Sequence, residues 1–285
     1  MKFLNILLGA AAAGSALAAP ACDATAPKDK RASKFKFVGV NQSGAEFGKD
    51  SLPGQLGKHY TWPVKSTIDI ISYITGKGAY AVLDPHNFGR YYEQVITDVD
   101  GFKAWWTTTA KLFASNSKVI FDTNNEYHDM DNSLVARLNQ AAIDGIRAAG
   151  ATSQLIFIEG NSWSGAWTWT SSGNGASLLN LKDPAGADKL DLVYCRLDDE
   201  RLRDATAWLK ANGKKAILGE TAGGANAQCI SALTGMLGYM ASNSDVWTGW
   251  LWWGGGPWWG NYMYSMEPPS GAGYQQVLPS LAPYI

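Results

Sequence analysis

An apolar run, Val119-Ile120-Phe121, stops abruptly in Asp122-Thr123-Asn124-Asn125-Glu126-Tyr127-His128. A strand buried on both faces reads as continuous apolar sequence, and polar side chains crowded at its C-terminal end mark the working mouth of a parallel α/β fold. The same transition recurs at Ala216-Ile217-Leu218-Gly219-Glu220. Two carboxylates, each closing an apolar strand, are the pair that acid/base or covalent sugar chemistry requires. No other feature narrows the choice of fold as much.

The remaining sequence fits a barrel of alternating strands and helices. Strands are expected at 35–41, 79–83, 118–123, 155–159, 190–195, 215–219 and 246–253. Between them, helical spacing predicts helices from Ser66 to about Gly76, and over 100–115, 132–150, 199–211 and 227–241. Ser66 is the expected N-cap of the first helix, with Asp69 at the capping-box position. Polar clusters follow strands and do not precede them, as at the C-terminal face of a (β/α)8 TIM-type barrel. Seven strands are recognisable where a regular barrel has eight, so the barrel is expected to be incomplete or rearranged. No Gly-x-Gly-x-x-Gly follows the first strand, which removes the support for a dinucleotide-binding α/β fold.

Composition narrows the function. Only 17% of the 285 residues are charged, the formal net charge is -1, and no basic run suggests nucleic acid. The 13 Trp and 12 Tyr favour a carbohydrate ligand, since indole rings stack on the apolar faces of sugars, although many of them must be core. His86 and His128 lie in no metal-binding spacing, and Ser162 and Ser164 lack the elbow of an esterase. No cofactor or metal is expected. Residues 1–18 read as a signal peptide, with Lys2, an apolar centre and Ala16-Leu17-Ala18 for cleavage. Residues 19–34 form an extension, and 35–285 one catalytic domain. The expected mature product is secreted, extracellular and monomeric, with no membrane span. Cys22, Cys195 and Cys229 leave one thiol unmatched, and spacing does not say which.

For sugar hydrolysis, Glu126 would act as general acid with a pKa raised by burial and a nearby carboxylate, and Glu220 would be that partner. A retaining mechanism needs the two about 5–5.5 Å apart. Asn125 is placed to reach a sugar 2-hydroxyl, and His86 to hydrogen-bond substrate or adjust a carboxylate. The plainer alternatives are a solvated or capping Glu, a turn amide and a structural His. Trp252, Trp253, Trp258 and Trp259 lie in a Gly-rich setting suited to a stacking floor. Asn41-Gln42-Ser43 is a glycosylation sequon, read as unused because it opens inward.

Val38-Gly39-Val40-Asn41, Leu83-Asp84-Pro85-His86-Asn87, Phe121 to His128, Ile158-Glu159-Gly160-Asn161 and Gly219-Glu220 together resemble fungal secreted endo-β-1,4-glucanases of glycoside hydrolase family 5. The resemblance implies a (β/α)8 barrel that hydrolyses a β-1,4-glucan chain with retention and without a cofactor. It implies Glu126 as acid/base, Glu220 as nucleophile, Asn125 as the 2-hydroxyl contact, His86 as the histidine after the third strand, and Trp253 as the aromatic platform. Trp163 and Asn41 complete the expected glucan-binding set.

The chain also departs from that family. A second strand ending in Arg-x-Pro, whose Arg supports the nucleophile, is missing before Ala79. The His-x-Tyr pair after the sixth strand is missing too, leaving Tyr194 as the available substitute, and Thr221 stands where the family has an aromatic. A barrel that loses a stave cannot close with the same strand number, tilt and shear. Two readings follow: a working endoglucanase, or a catalytically impaired barrel that binds β-glucan through its aromatic cleft.

Overall fold

A computed structural model describes residues 35–42, 64–195, 199–256 and 259–285. The signal peptide and extension, Cys22, Ser43 of the sequon, the loop to Pro63 and Trp258 lie outside the described residues.

In chain order the elements are β1 (Phe37–Gln42), α1 (Val64–Gly76), β2 (Ala81–Leu83), β3 (Arg90–Tyr91), β4 (Gln94–Val95), α2 (Val99–Lys111), β5 (Val119–Asp122), α3 (Asn132–Ala148), β6 (Ile156–Ile158), α4 (Asn174–Leu178), β7 (Leu190–Cys195), α5 (Asp199–Asn212), β8 (Ala216–Thr221), α6 (Ala227–Ser242), β9 (Trp247–Gly255) and α7 (Leu278–Leu281). Seven strands form the main sheet in the order β1-β9-β8-β7-β6-β5-β2. This is an incomplete (β/α)8 barrel, as the strand count in the sequence predicts. Among the described residues β1 and β2 are the two strands that end the order.

The described residues divide into two compact units, one of 64–164 and 171–192, the other of 35–42, 165–170, 193–195, 199–256 and 259–285. In the first, β2 pairs with β5, β5 with β6, and β6 with the start of β7, all parallel. In the second, β8 pairs with β9 and β9 with β1, again parallel.

Local chemistry sets the helix ends. Asp98 caps α2 by accepting from the Gly101 N–H, Asp131 caps α3 through Leu134, and Asn226 caps α6 through Cys229. Ser66 does not cap α1: the helix starts at Val64, so Ser66 lies within its first turn. The β3–β4 hairpin escapes sequence reading because strands of two residues carry no period. In α3, Gly145 lets α2 approach closely, since a Cβ there would sit 2.5 Å from the Lys103 carbonyl oxygen.

Five of the 13 indoles serve the core. Trp106, Trp169, Trp247, Trp250 and Trp252 are buried. Trp106 Nε1 donates to the Thr123 carbonyl at 3.2 Å, Trp247 to Thr206 Oγ1 at 3.0 Å and Trp252 to the Tyr264 carbonyl at 2.8 Å. Trp252 is therefore not part of a stacking floor. Cys229 carries a free thiol. Among the described residues no helix is long and apolar enough to cross a membrane.

A polar plug closes the first unit away from the strand C-termini. Arg147 donates from Nε to Asp183 Oδ1 at 2.8 Å and from Nη2 to Asp183 Oδ2 at 2.6 Å, with both side chains buried. Its guanidinium also reaches the carbonyls of Ala151 and Gln154, and Gln154 Nε2 in turn serves Phe113, Ala114 and Asn116. Arg147→Ala would strand the Asp183 carboxylate in the interior. A loss of about 3–5 kcal/mol is expected, read as a melting point lower by about 6 °C or more. An unchanged melting point would show that the plug contributes nothing.

Candidate active site

In the first unit the site is built by the turn that follows β5. Its backbone is tied on both sides. Asn125 N–H donates to the Pro85 carbonyl at 3.3 Å, and Asn124 Nδ2 donates to the same oxygen at 3.0 Å, joining the turn to the end of β2. On the other side, Thr123 N–H donates to the Phe157 carbonyl in β6 at 3.0 Å. Thr123 Oγ1 reaches Asn139 Oδ1 at 2.7 Å, and Asn139 Nδ2 reaches the Glu159 carbonyl at 3.0 Å. The amides that make the sequence look polar after Phe121 are thus partly structural. They let a buried turn satisfy its backbone away from water.

Glu126 emerges from this turn with a φ of 46°, in the left-handed region that non-glycine residues seldom occupy. Its N–H donates to Glu159 Oε2 at 2.5 Å. His86 Nδ1 lies 3.0 Å from Asp84 Oδ2, and Asn125 Nδ2 lies 3.3 Å from His86 Nε2. One tautomer satisfies both contacts: Nδ1–H donates to Asp84, and Nε2 accepts from Asn125. His86 therefore orients the Asn125 amide, and Asp84 orients His86.

Trp163 is 43% exposed, and its ring stacks on His128 at 4.7 Å with an interplanar angle of 6°. Its N–H donates to the Tyr127 carbonyl at 3.0 Å. Behind it, Phe88 packs against both His128 and His86. A broad, rigid aromatic face of this kind suits a pyranose ring.

Glu159 is buried, with 1% of its surface exposed. Burial, and next the negative charges of Asp122 and Asp84, push its carboxyl well above the ordinary carboxylate value. Tyr127 is likewise raised, first by burial and then by the same acids and Glu159. A carboxyl whose pKa the fold raises binds its proton more tightly folded than unfolded. Its contribution to stability is full below the ordinary value of 4.5 and is lost as pH rises toward the raised folded value. Glu159→Gln is expected to flatten the fall in melting point as pH rises above the ordinary carboxylate value of 4.5. Equal slopes in the variant and the parent would contradict this.

In the second unit Glu220 is the penultimate residue of β8. The strand runs to Thr221, past the sequence-expected end at Gly219. Asn41 Nδ2 donates to the Gly219 carbonyl at 2.8 Å and to the Trp252 carbonyl at 3.4 Å, so it braces the ends of β8 and β9 beside Glu220. Trp253, near the end of β9, is half-buried and meets Trp259 edge-on at 5.4 Å. Trp259 stacks on Tyr262 at 4.5 Å. The Tyr262 phenol is raised by burial and by Tyr264, while a hydrogen bond with Trp253 lowers it and the Glu220 charge raises it.

Tyr194 does not replace the family's missing tyrosine. It is fully buried among Trp169 and Trp247, and the charge it feels is that of Asp204 on α5. The strand pleat explains this: Val193 faces Gly219, where a Cβ would come within 2.3 Å of its Cγ1, and the next side chain points the opposite way. Tyr262 is the phenol that senses Glu220.

The first unit thus gathers His86, Asn125, Glu126 and Trp163, and the second Asn41, Glu220 and Trp253. Sequence reading passed over Glu159, Asp84, Asp122 and Tyr262. Glu159 carried the same signal as Glu126, an apolar strand ending in a carboxylate. Tyr262 carried none, because it belongs to an irregular segment. Among the described residues no group of three His, Cys, Asp or Glu side chains is placed to hold a metal ion.

Residues 23–256 match the sequence profile described as Cellulase (glycosyl hydrolase family 5). The chain belongs to this family.

Its relatives include the probable endo-beta-1,4-glucanase B of Neosartorya fischeri, 48% identical with all of both chains covered. That match runs over 340 residues against 285 here, so dozens of the relative's positions have no counterpart in this cellulase. Among solved structures, the endo-beta-1,4-glucanase Xac0029 of Xanthomonas axonopodis pv. citri aligns at TM-score 0.77 and 29% identity, over 87% of this chain and 98% of that one. XacCel5A in complex with cellopentaose aligns at TM-score 0.74 and 30% identity, over 83% and 95%.

Proposed function

We propose that this family 5 cellulase is an endo-β-1,4-glucanase that cleaves internal bonds of cellulose or a related β-glucan by retaining double displacement. The observation that carries the reading is that Glu126 and Glu220, each at the C-terminal end of a parallel strand, belong to a chain of this family. Glu220 attacks the anomeric carbon while Glu126 protonates the departing glycosidic oxygen. Glu126 then takes a proton from the water that releases the sugar. Asn125, oriented by His86, donates to the 2-hydroxyl of the reacting sugar. Trp163 and Trp253 supply stacking faces, and Asn41 keeps the strand ends around Glu220 in place.

Similarity to fungal and bacterial cellulases supports an extracellular role. Export through cleavage after residue 18, and action as a monomer, are parts of the same proposal.

One observation favours the impaired, glucan-binding alternative: among the described residues the main sheet has seven strands, with β1 and β2 at the two ends of its order. Incubation of purified protein with carboxymethyl cellulose separates the two. The endoglucanase reading expects viscosity to collapse while few reducing ends have appeared. Retention of the protein on the polymer with neither change would support the binding reading instead.

A further inference from the structure

We propose that Glu159 is a positioning residue for the acid/base, its side chain fixing the backbone of Glu126 in the conformation from which that carboxyl works. The proposal rests on the reading of Glu126 given above.

The left-handed φ of 46° at Glu126 needs support from its surroundings. That support comes from the Glu159 side chain, whose Oε2 accepts from the Glu126 N–H at 2.5 Å. Glu159 is itself fixed: its own carbonyl accepts from Asn139 Nδ2 at 3.0 Å, and Asn139 Oδ1 accepts from Thr123 Oγ1 at 2.7 Å, inside the turn that Glu126 ends. The chain from Thr123 to Glu126 is thereby clamped at both ends by one buried loop of hydrogen bonds. One residue further on, Gly160 N–H donates to Ser164 Oγ at 3.0 Å, which ties the same segment to the turn bearing Trp163.

The groups facing Glu159 are Asp84 from the end of β2, Asp122 from β5, and Glu126 and Tyr127 from the turn. None is cationic. In that setting burial and the surrounding negative charges raise the Glu159 carboxyl, and its Oε2 is the acceptor that the Glu126 N–H meets. Glutamine would supply the same acceptor, whereas alanine would remove it.

The test compares Glu159→Ala and Glu159→Gln on two substrates, well below their melting points. Cellopentaose cleavage needs a proton from Glu126. The first turnover of 2,4-dinitrophenyl β-cellobioside does not, because dinitrophenolate leaves unprotonated. The expected result for Glu159→Ala is kcat on cellopentaose lower by about tenfold to a hundredfold, since a misplaced reacting group costs on that order. Its KM and its first-turnover release of dinitrophenolate should stay at the parent values. Glu159→Gln should stay within about twofold of the parent on both substrates.

Parent rates for the alanine variant on both substrates would overturn the proposal. So would equal losses on both, the mark of a general structural role. If Glu159→Ala does not fold, a tenfold loss for folded Glu159→Gln on cellopentaose alone would overturn it equally. A parent protein that cleaves neither substrate would instead defeat the endoglucanase reading itself.

Discussion

Replacing Glu220 with alanine is expected to remove hydrolysis of β-1,4-glucan, by a factor on the order of 10⁴ or more, as deletion of a covalent nucleophile does. The substitution should leave the fold in place. Glu220 lies at the penultimate position of β8 and is only half-buried, and its neighbours there are braced through backbone groups: Asn41 holds the Gly219 and Trp252 carbonyls, not the carboxylate. A small anion such as azide should restore part of the rate on an activated glycoside by entering where the carboxylate stood. With one displacement in place of two, the product should be the inverted α-glycosyl azide. Turnover by the alanine variant at a rate near the parent's would remove Glu220 from the mechanism.

Replacing Glu126 with alanine should have the second largest effect, with a different signature. Loss of a general acid/base costs about 10²- to 10⁴-fold on substrates whose leaving oxygen needs a proton. The first turnover of 2,4-dinitrophenyl β-cellobioside should be nearly unaffected. The second step should stall, since no base remains to deprotonate water, so a burst of one equivalent followed by slow release is expected. A uniform loss on both substrates would instead mark Glu126 as part of the turn's architecture. The distinction is physical: Glu126 has a carboxyl in the turn that follows β5 and a backbone that carries unusual torsion, and the two roles separate only by leaving group.

The elements most legible in the sequence were those whose signal was chemical. β5 and β8 could be read because an apolar run ends in a carboxylate, and β7 was expected over the residues it occupies, Leu190 to Cys195. The helices α2, α3 and α6 follow their apolar spacing and differ by a few residues at the ends, where Asp98, Asp131 and Asn226 set the caps. Ser66 shows the limit of the capping pattern: its side chain type fits an N-cap, but α1 begins before it.

Roles were less legible than positions. Asn125 and His86 were expected from their place after strands, but not that Asp84 and His86 line up behind the Asn125 amide, which needs three side chains from two segments. Tyr194 looked like a substitute for the missing tyrosine until the pleat of β7 placed it among Trp169 and Trp247. The abundant Trp pointed toward sugars, yet five of the rings fill the interior. Pattern along one strand gives the face on which a residue lies, whereas a partner from another strand appears only in the fold.

The incomplete barrel, with seven strands among the described residues, places the greatest demand on Glu220 as nucleophile. The Glu220 charge is felt by Tyr262, whose phenol also has a hydrogen bond with Trp253. The most direct test of the central claim is the stereochemistry of the first sugar released. Proton NMR of cellopentaose digestion, followed from the first minutes, distinguishes the anomers before mutarotation mixes them. The account predicts that the newly formed reducing end is β, as double displacement through Glu220 requires. An α product, or no product from a cooperatively folded protein, would contradict it.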